Sequence, residues 1–226
     1  MKAVLFDLFG VIARVQSPES MAVLERTAGG DPDRFWSAYW AQRPPYDRGE
    51  VRGSGYWRAV CAHLGIPCNR RLTDALTAAD LAGWSEIDQR TVDLLGLLAD
   101  RGIVLGLLSN IPEDLAVLYE TTQPWLGRFA VRGLSCRIGS AKPDPAAYEW
   151  CIRELGLPPE EILFVDDRAE NVQAACRLGL QGHVFTSPEG LREALEGGGC
   201  RGLRAGVDAA RARPPIVNAV HVNIVH

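Results

Sequence analysis

The stretch Val4-Leu5-Phe6-Asp7-Leu8-Phe9-Gly10-Val11 guides the interpretation of the whole chain, because a short apolar run ends there in an aspartate and a glycine turn. The run Ala3–Phe6 contains no polar residue, which is typical of a strand covered on both faces of a parallel sheet. Similar short runs recur at 103–108, 129–134, 162–165 and 182–185. Because they alternate with segments of helical period, they predict an α/β fold with a doubly wound, Rossmann-like parallel sheet.

Several helix starts are marked by a capping residue that directly precedes a proline. A capping side chain accepts from free backbone N–H groups, and a proline in the first turn needs no such donor bond. The apolar spacing at 87–100 predicts a further helix, which ends near Gly102. The capped starts are Ser17-Pro18, Asp31-Pro32, Asp144-Pro145 and Ser187-Pro188.

The segment 14–85 has no run typical of a strand, so we predict that it is a helical cap domain inserted into a core formed by 1–13 and 86–196. Its helices are expected at 18–27, 32–41, 54–64 and 71–81, with 42–53 as a loop. Aromatic residues concentrate in this segment; we expect most of them to form its own core and one or two to line a pocket. They are Phe35, Trp36, Tyr39, Trp40, Tyr46, Tyr56 and Trp57.

The last part of the chain, 197–226, differs in character and is interpreted as a C-terminal tail, with an added edge strand as one option. It combines a glycine run, an Arg/Ala-rich stretch and some apolar alternation.

Composition and charge exclude several classes of protein. The chain has 226 residues, of which 47% are apolar and 23% charged, and its net charge is −4, so we expect a folded protein that does not bind nucleic acid. No apolar run is long enough to cross a membrane, and Asp7 interrupts the first one too early for a secretory signal. We therefore expect a cytoplasmic protein with no membrane partner. The pattern does not indicate an oligomeric state.

Chemistry-bearing residues follow the predicted strands, at the edge of a parallel sheet where ligands bind. Adjacent carboxylates at such an edge repel one another unless a cation or a hydrogen-bond donor lies beside them. Lys142 is conspicuous because Lys2 is the only other lysine of the chain. The residues concerned are Asp7, Ser109-Asn110, Lys142 and Asp166-Asp167.

On this ordered set, the chain resembles hydrolases of the haloacid dehalogenase superfamily, in the subclass whose helical cap follows the first strand. The resemblance covers roughly residues 2–190. Within the superfamily, the segments Tyr46-Asp47-Arg48-Gly49-Glu50-Val51 and Phe164-Val165-Asp166-Asp167-Arg168-Ala169-Glu170-Asn171 are similar to small sugar-phosphate phosphatases of the glucose-1-phosphatase kind.

The resemblance implies a Mg²⁺-dependent phosphatase that hydrolyses a small phosphorylated metabolite, such as a sugar phosphate, through an aspartyl-phosphate on Asp7. Ser109 and Lys142 are the other implied catalytic residues, and both also bind substrate together with the backbone amide of Asn110. Mg²⁺ would be held by oxygen atoms, which it prefers. The implied ligands are Asp7, the backbone carbonyl of Phe9, Asp167 and, through water, Asp166.

Phe9 departs from the pattern, because most phosphatases that resemble this chain carry a second aspartate there as general acid and base. Its loss removes roughly 10²- to 10⁴-fold in rate. Two alternatives therefore stay open: a 2-haloacid dehalogenase, whose halide needs no proton, and a catalytically weak protein that binds a phosphate ester. Such dehalogenases use a cap arginine, and the corresponding stretch, 35–42, has none, although Arg34 and Arg43 flank it.

Overall fold

Residues 1–196 are described by a computed structural model; the tail expected at 197–226, with its optional edge strand, lies outside the described residues. A five-stranded parallel sheet forms the centre, in the order β3-β2-β1-β4-β5. The α/β, Rossmann-like fold class is confirmed, and each expected strand is present within two residues of its expected bounds. The strands are β1 (Ala3–Phe6), β2 (Val104–Ser109), β3 (Val131–Leu134), β4 (Ile162–Asp166) and β5 (Gln181–Val184).

Helices cover both faces of the sheet, as the continuous apolar character of the strands requires. In β1, Val4 and Phe6 face one apolar cluster, whereas Ala3 and Leu5 face the other. α5, α6 and α10 pack on the first face, and α8 and α9 pack on the second. The helices of this part are α5 (Gln89–Asp100), α6 (Glu113–Thr122), α7 (Ser135–Ile138), α8 (Pro145–Leu155), α9 (Ala169–Arg177) and α10 (Pro188–Glu196).

The expected helix starts are confirmed by their capping hydrogen bonds. Ser17 accepts from the Ser20 amide, and Asp31 accepts from the two amides at 33 and 34. Asp144 accepts from the Ala146 amide, and the Ser187 hydroxyl accepts from the Gly190 amide at 3.0 Å. Each of these bonds satisfies a first-turn donor that the helix itself leaves free.

Four helices between β1 and α5, which we call the helical insertion, have an apolar core of their own. Six of the seven aromatic residues noted above are buried in this core, and Trp40 stays 38% exposed. Its elements are α1 (Pro18–Ala28), α2 (Pro32–Asp47), α3 (Gly53–Leu64) and α4 (Arg70–Gly83).

The prediction of a loop at 42–53 is wrong in its first half, because α2 continues through Pro44 and Pro45 to Asp47. Each proline removes a helical hydrogen bond. Contacts with other helices of the insertion offset that loss: the Arg43 guanidinium lies 3.5 Å from Asp80 of α4, and the Tyr46 ring stacks on Tyr56 of α3 with centroids 4.5 Å apart.

The helical insertion lies at the carboxyl edge of the sheet and is bonded to it there. The Ser135 hydroxyl, at the start of α7, donates to the Asp47 carbonyl. The Tyr46 hydroxyl donates to Asp114 of α6 at 2.7 Å. No helix within 1–196 combines the length and the apolar character that crossing a membrane requires.

Candidate active site

Asp7 follows β1 directly and sits at the point where the strand order reverses, between β2 and β4. Its side chain is buried, with 6% of the residue exposed. One carboxylate oxygen, Oδ1, accepts from the Leu8 amide at 2.6 Å and lies 2.7 Å from the Lys142 ammonium. The carboxylate is therefore held in a fixed orientation at the switch point of the sheet, where ligands of such folds bind.

Lys142 connects two carboxylates. Its buried ammonium lies 2.7 Å from Asp7 Oδ1 and 2.7 Å from Asp166 Oδ2. Burial disfavours the ammonium, but the two carboxylates outweigh it, so the pKa of Lys142 is raised. The lysine therefore stays positively charged at physiological pH.

The Asn110 side chain fixes the backbone of Lys142 from the neighbouring strand end. Its amide nitrogen donates to the Lys142 carbonyl at 2.8 Å, and its amide oxygen accepts from the Lys142 amide at 2.8 Å. The sequence indicated a role only for the backbone amide of Asn110 and carried no signal of this paired contact. Two hydrogen bonds between segments 32 residues apart make Asn110 a positioning residue for the lysine.

Asp166 is fully engaged by donors. Besides Lys142, it accepts from the Arg168 amide at 2.8 Å and from the Asn171 side chain at 3.0 and 3.1 Å. Asn171 thus orients Asp166 in place of a further acid. The Arg168 side chain is half exposed and pairs with exposed Glu170.

Asp167 completes a group of three carboxylates that could hold a metal ion. Asp7, Asp166 and Asp167 each place one oxygen within 4.8 Å of the others. Burial, followed by repulsion from Asp166, raises the pKa of Asp167 to about 6. Gly10 makes room for this carboxylate, since it has a φ of +84° and a Cβ atom there would lie 2.4 Å from Asp167 Oδ2.

The group carries more negative than positive charge. Burial raises the pKa of Asp7 well above its ordinary value; Lys142 opposes this shift, and Asp166 adds to it. One ammonium does not balance three carboxylates, so the residues fit an added divalent cation. Oxygen donors of this kind suit Mg²⁺.

Ser109 is the last residue of β2 and is completely buried. Within the described part of the chain, its hydroxyl has no hydrogen-bond partner. An unsatisfied buried hydroxyl is costly, and at a functional site it is a candidate donor to a ligand or to an ordered water. The hydroxyl is therefore available for a phosphoryl oxygen.

Phe9 carries no proton-transfer group, as expected from the sequence. Its half-buried ring packs edge-on against Trp84, with centroids 4.8 Å apart, and against Tyr119 at 5.9 Å. Ser135 is a residue that the sequence analysis missed: its hydroxyl accepts from the Ile111 amide at 2.8 Å while donating to the helical insertion. Its position directly after β3 was the available signal.

The structure therefore brings Asp7, Lys142, Asp166 and Asp167 into one cluster, with Ser109 and Asn110 at the adjacent strand end. The cluster thus combines a buried aspartate–lysine pair with two further carboxylates at the ligand-binding edge of a Rossmann-like sheet. The chain belongs to the haloacid dehalogenase-like hydrolase family, whose family model matches residues 1–179.

Two relatives and one solved structure illustrate the similarity. A sesquiterpene phosphatase of Aspergillus oryzae is 29% identical over 189 residues, which cover 82% of this chain and 90% of the relative. A D-ribitol-5-phosphate phosphatase of Bacteroides thetaiotaomicron is 26% identical over 196 residues, which cover 80% of this chain and 90% of the relative. An enzyme of the same family and organism, solved with magnesium and inorganic phosphate, superposes with a TM-score of 0.69 at 20% identity. The superposition covers 82% of this chain and 94% of that enzyme.

Proposed function

We propose that this hydrolase is a Mg²⁺-dependent phosphatase that transfers the phosphoryl group of a small phosphomonoester to Asp7 and then to water. The observation that carries the proposal is the Lys142 ammonium, held 2.7 Å from both Asp7 and Asp166 within a cluster of three carboxylates. The phosphatase relatives and the neighbour with magnesium and phosphate support it.

Charge is the main obstacle to the first step. A carboxylate and a phosphoryl dianion about 4 Å apart repel by about 8 kcal/mol at an effective dielectric constant near 20, or nearly six decades in rate. Mg²⁺ held by Asp7, Asp167 and the Phe9 carbonyl, with Asp166 through water, would supply the positive charge that offsets this repulsion. Lys142 places a second positive charge beside the phosphoryl oxygens.

The covalent step uses residues that the fold already orients. An Asp7 oxygen forms a bond to phosphorus, the bond from phosphorus to the ester oxygen breaks, and the leaving group departs as an oxyanion that takes a proton from water. The Ser109 hydroxyl and the Asn110 backbone amide donate to the phosphoryl oxygens as charge shifts. Water then attacks the phosphorus of the aspartyl-phosphate, which releases inorganic phosphate and restores the Asp7 carboxylate.

Arg43 bears on the dehalogenase alternative. In the structure, this buried guanidinium donates to Asp47 at 2.7 Å and lies 3.5 Å from Asp80. Two carboxylates of the helical insertion already engage it, so it does not offer a free cation to a haloacid carboxylate. Arg34 is exposed. This arrangement favours the phosphatase over the dehalogenase.

We propose further that the helical insertion acts as a cap that excludes water and selects the leaving group. Its hydrogen bonds to Ser135 and Asp114, which follow the carboxyl ends of β3 and β2, support this proposal. Because Phe9 cannot protonate the ester oxygen, suitable substrates have leaving groups of low basicity.

A substrate panel tests the reaction class. Sugar phosphates, aryl phosphates and 2-haloacids are incubated with Mg²⁺ or with EDTA, and phosphate and halide release are measured. We expect phosphate release that EDTA abolishes and that Asp7→Asn removes. Asp74→Asn is the matched control, because Asp74 is an exposed carboxylate on α4.

Other outcomes contradict the proposal. Halide release that EDTA does not affect would indicate a dehalogenase. Tight binding of phosphate esters without any turnover would indicate the catalytically weak binding protein. Full activity of Asp7→Asn would exclude Asp7 as the nucleophile.

A further inference from the structure

Three aromatic rings meet beside the loop that carries Asp7, and we call Phe9, Trp84 and Tyr119 the aromatic wall. They come from three segments: the turn after β1, the connection between α4 and α5, and α6. The Phe9 ring meets both partners edge to face, at 4.8 and 5.9 Å between centroids. Such pairs add stability beyond the area they bury, so the Phe9 ring has a defined position.

Trp84 anchors the wall. Its indole nitrogen donates to the Tyr39 hydroxyl at 3.0 Å, and its carbonyl accepts from the Tyr119 hydroxyl. Trp84 and Tyr119 are buried, whereas Phe9 keeps an accessible part. The Phe9 ring is therefore supported by two buried rings and keeps a solvent-accessible part.

The geometry of the proposed reaction indicates that the aromatic wall lies on the side of the leaving group. In phosphoryl transfer, the leaving oxygen lies opposite the attacking one. Lys142, Ser109 and Asp167 come from the strand ends around Asp7, so the leaving group points away from the sheet, towards the helical insertion. Phe9 and Trp84 lie on the two segments that lead into and out of this insertion.

Resting on the proposed function, we propose that the Phe9 ring, held in place by the other two rings of the aromatic wall, contacts the group on the ester oxygen and that the substrate is the phosphate ester of an apolar phenol or of another apolar group with a weakly basic oxygen. An apolar group placed there releases water from the Phe9 ring. Without a proton donor at position 9, esters with a weakly basic leaving oxygen, such as aryl esters, react best.

The polar groups behind the aromatic wall are not available as hydrogen-bond partners for a polar leaving group. The Arg43 guanidinium lies 5.9 Å from the Trp84 ring, but its nitrogens bond to Asp47 and to the Tyr39 hydroxyl at 2.7 and 2.6 Å. A polyhydroxylated group against Phe9 would lose hydrogen bonds to water and gain none from the ring. Selection against such a group follows from this mismatch.

Two aryl phosphates of similar leaving-group basicity test the inference: para-propylphenyl phosphate and para-hydroxymethylphenyl phosphate. We expect kcat/KM of the wild-type protein to favour the propyl ester about tenfold, the usual size of a small apolar contact. Phe9→Asn brings this ratio close to one, and Phe9→Leu keeps most of it. Val117→Asn, at an exposed apolar site on α6, leaves the ratio unchanged.

A wild-type ratio close to one, or a ratio that Phe9→Asn does not lower, would contradict the proposed contact between the aromatic wall and the substrate. Neither result would contradict the proposed phosphatase activity. If neither ester is turned over, the proposed function fails, and the wall is then judged by binding alone. Calorimetry with the para-propyl and para-hydroxymethyl benzylphosphonates serves for this. Tighter binding of the propyl compound supports the wall, and equal binding overturns it; because this comparison uses the wild-type protein, it does not depend on whether a variant folds.

Discussion

Replacing Asp167 by asparagine should stabilise the metal-free protein. Burial and Asp166 raise the pKa of Asp167 from 3.8 to about 6, so the folded state holds its proton more tightly than the unfolded state. Stability is therefore lost as the pH rises from about 4 to about 6, and the loss persists above that range. The full shift corresponds to about 3 kcal/mol. Because the side chain partly reaches solvent, we discount this to about 1–2 kcal/mol.

Thermal unfolding measures this effect directly. Near pH 8 without Mg²⁺, we expect the Tm of Asp167→Asn to exceed that of the wild type by roughly 2–8 °C. Near pH 4 the difference should disappear, because both forms are then uncharged at this position. Adding Mg²⁺ at about 100 times its Kd should stabilise the wild type by about 2.7 kcal/mol and the variant much less.

Asp74→Asn is the control for the general effect of losing a carboxylate, since Asp74 lies exposed on α4. A lower Tm of Asp167→Asn at both pH values would refute the reasoning, because it would mean that hydrogen bonds stabilise this carboxylate. Undiminished stabilisation of the variant by Mg²⁺ would show that Asp167 does not hold the ion.

Three further substitutions test the site. Lys142→Met should abolish turnover and cost about 3–5 kcal/mol of stability in denaturant unfolding, since it leaves buried carboxylates unpaired; a loss below about 1 kcal/mol would contradict the buried pair. Asn110→Ala should lower kcat about a hundredfold by releasing the lysine backbone, with little change in KM; unchanged kcat would exclude the positioning role. Phe9→Asp should speed hydrolysis of poor leaving groups more than of good ones, by roughly 10²-fold or more; an equal effect on both would contradict the inference that the missing acid at position 9 limits the rate.

Local patterns were sufficient to predict the sheet and many helix starts. Ala3–Phe6 is apolar throughout because both of its faces are covered, so its burial can be predicted from its composition. The capping residues Ser17 and Asp31 act within three residues of themselves, which makes them readable from sequence.

Contacts between distant segments were not readable in the same way. The two prolines at 44 and 45 indicated a loop, but α2 continues because Arg43 pairs with Asp80 of α4 and Tyr46 stacks on Tyr56 of α3. The pairing of Asn110 with Lys142 likewise depends on the approach of two loops. A single sequence carries no signal of such geometry.

The sequence predicted which residues form the candidate site better than it predicted the contacts among them. Asp7, Lys142, Asp166 and Asp167 lie together because the carboxyl ends of parallel strands share one edge. What the sequence could not give was the distribution of hydrogen bonds among them. Asn171, for example, occupies both oxygens of Asp166, which an aspartate at that position could not do without repulsion.

The central claim is that Asp7 receives the phosphoryl group covalently, and an acid-quench experiment tests it most directly. The protein with Mg²⁺ is mixed with an aryl phosphate, quenched in acid within the first turnover, digested and analysed by peptide mass spectrometry. The account predicts a phosphoryl adduct on the peptide that contains Asp7, and none in Asp7→Asn. Turnover without an adduct, or an adduct on another residue, would contradict it.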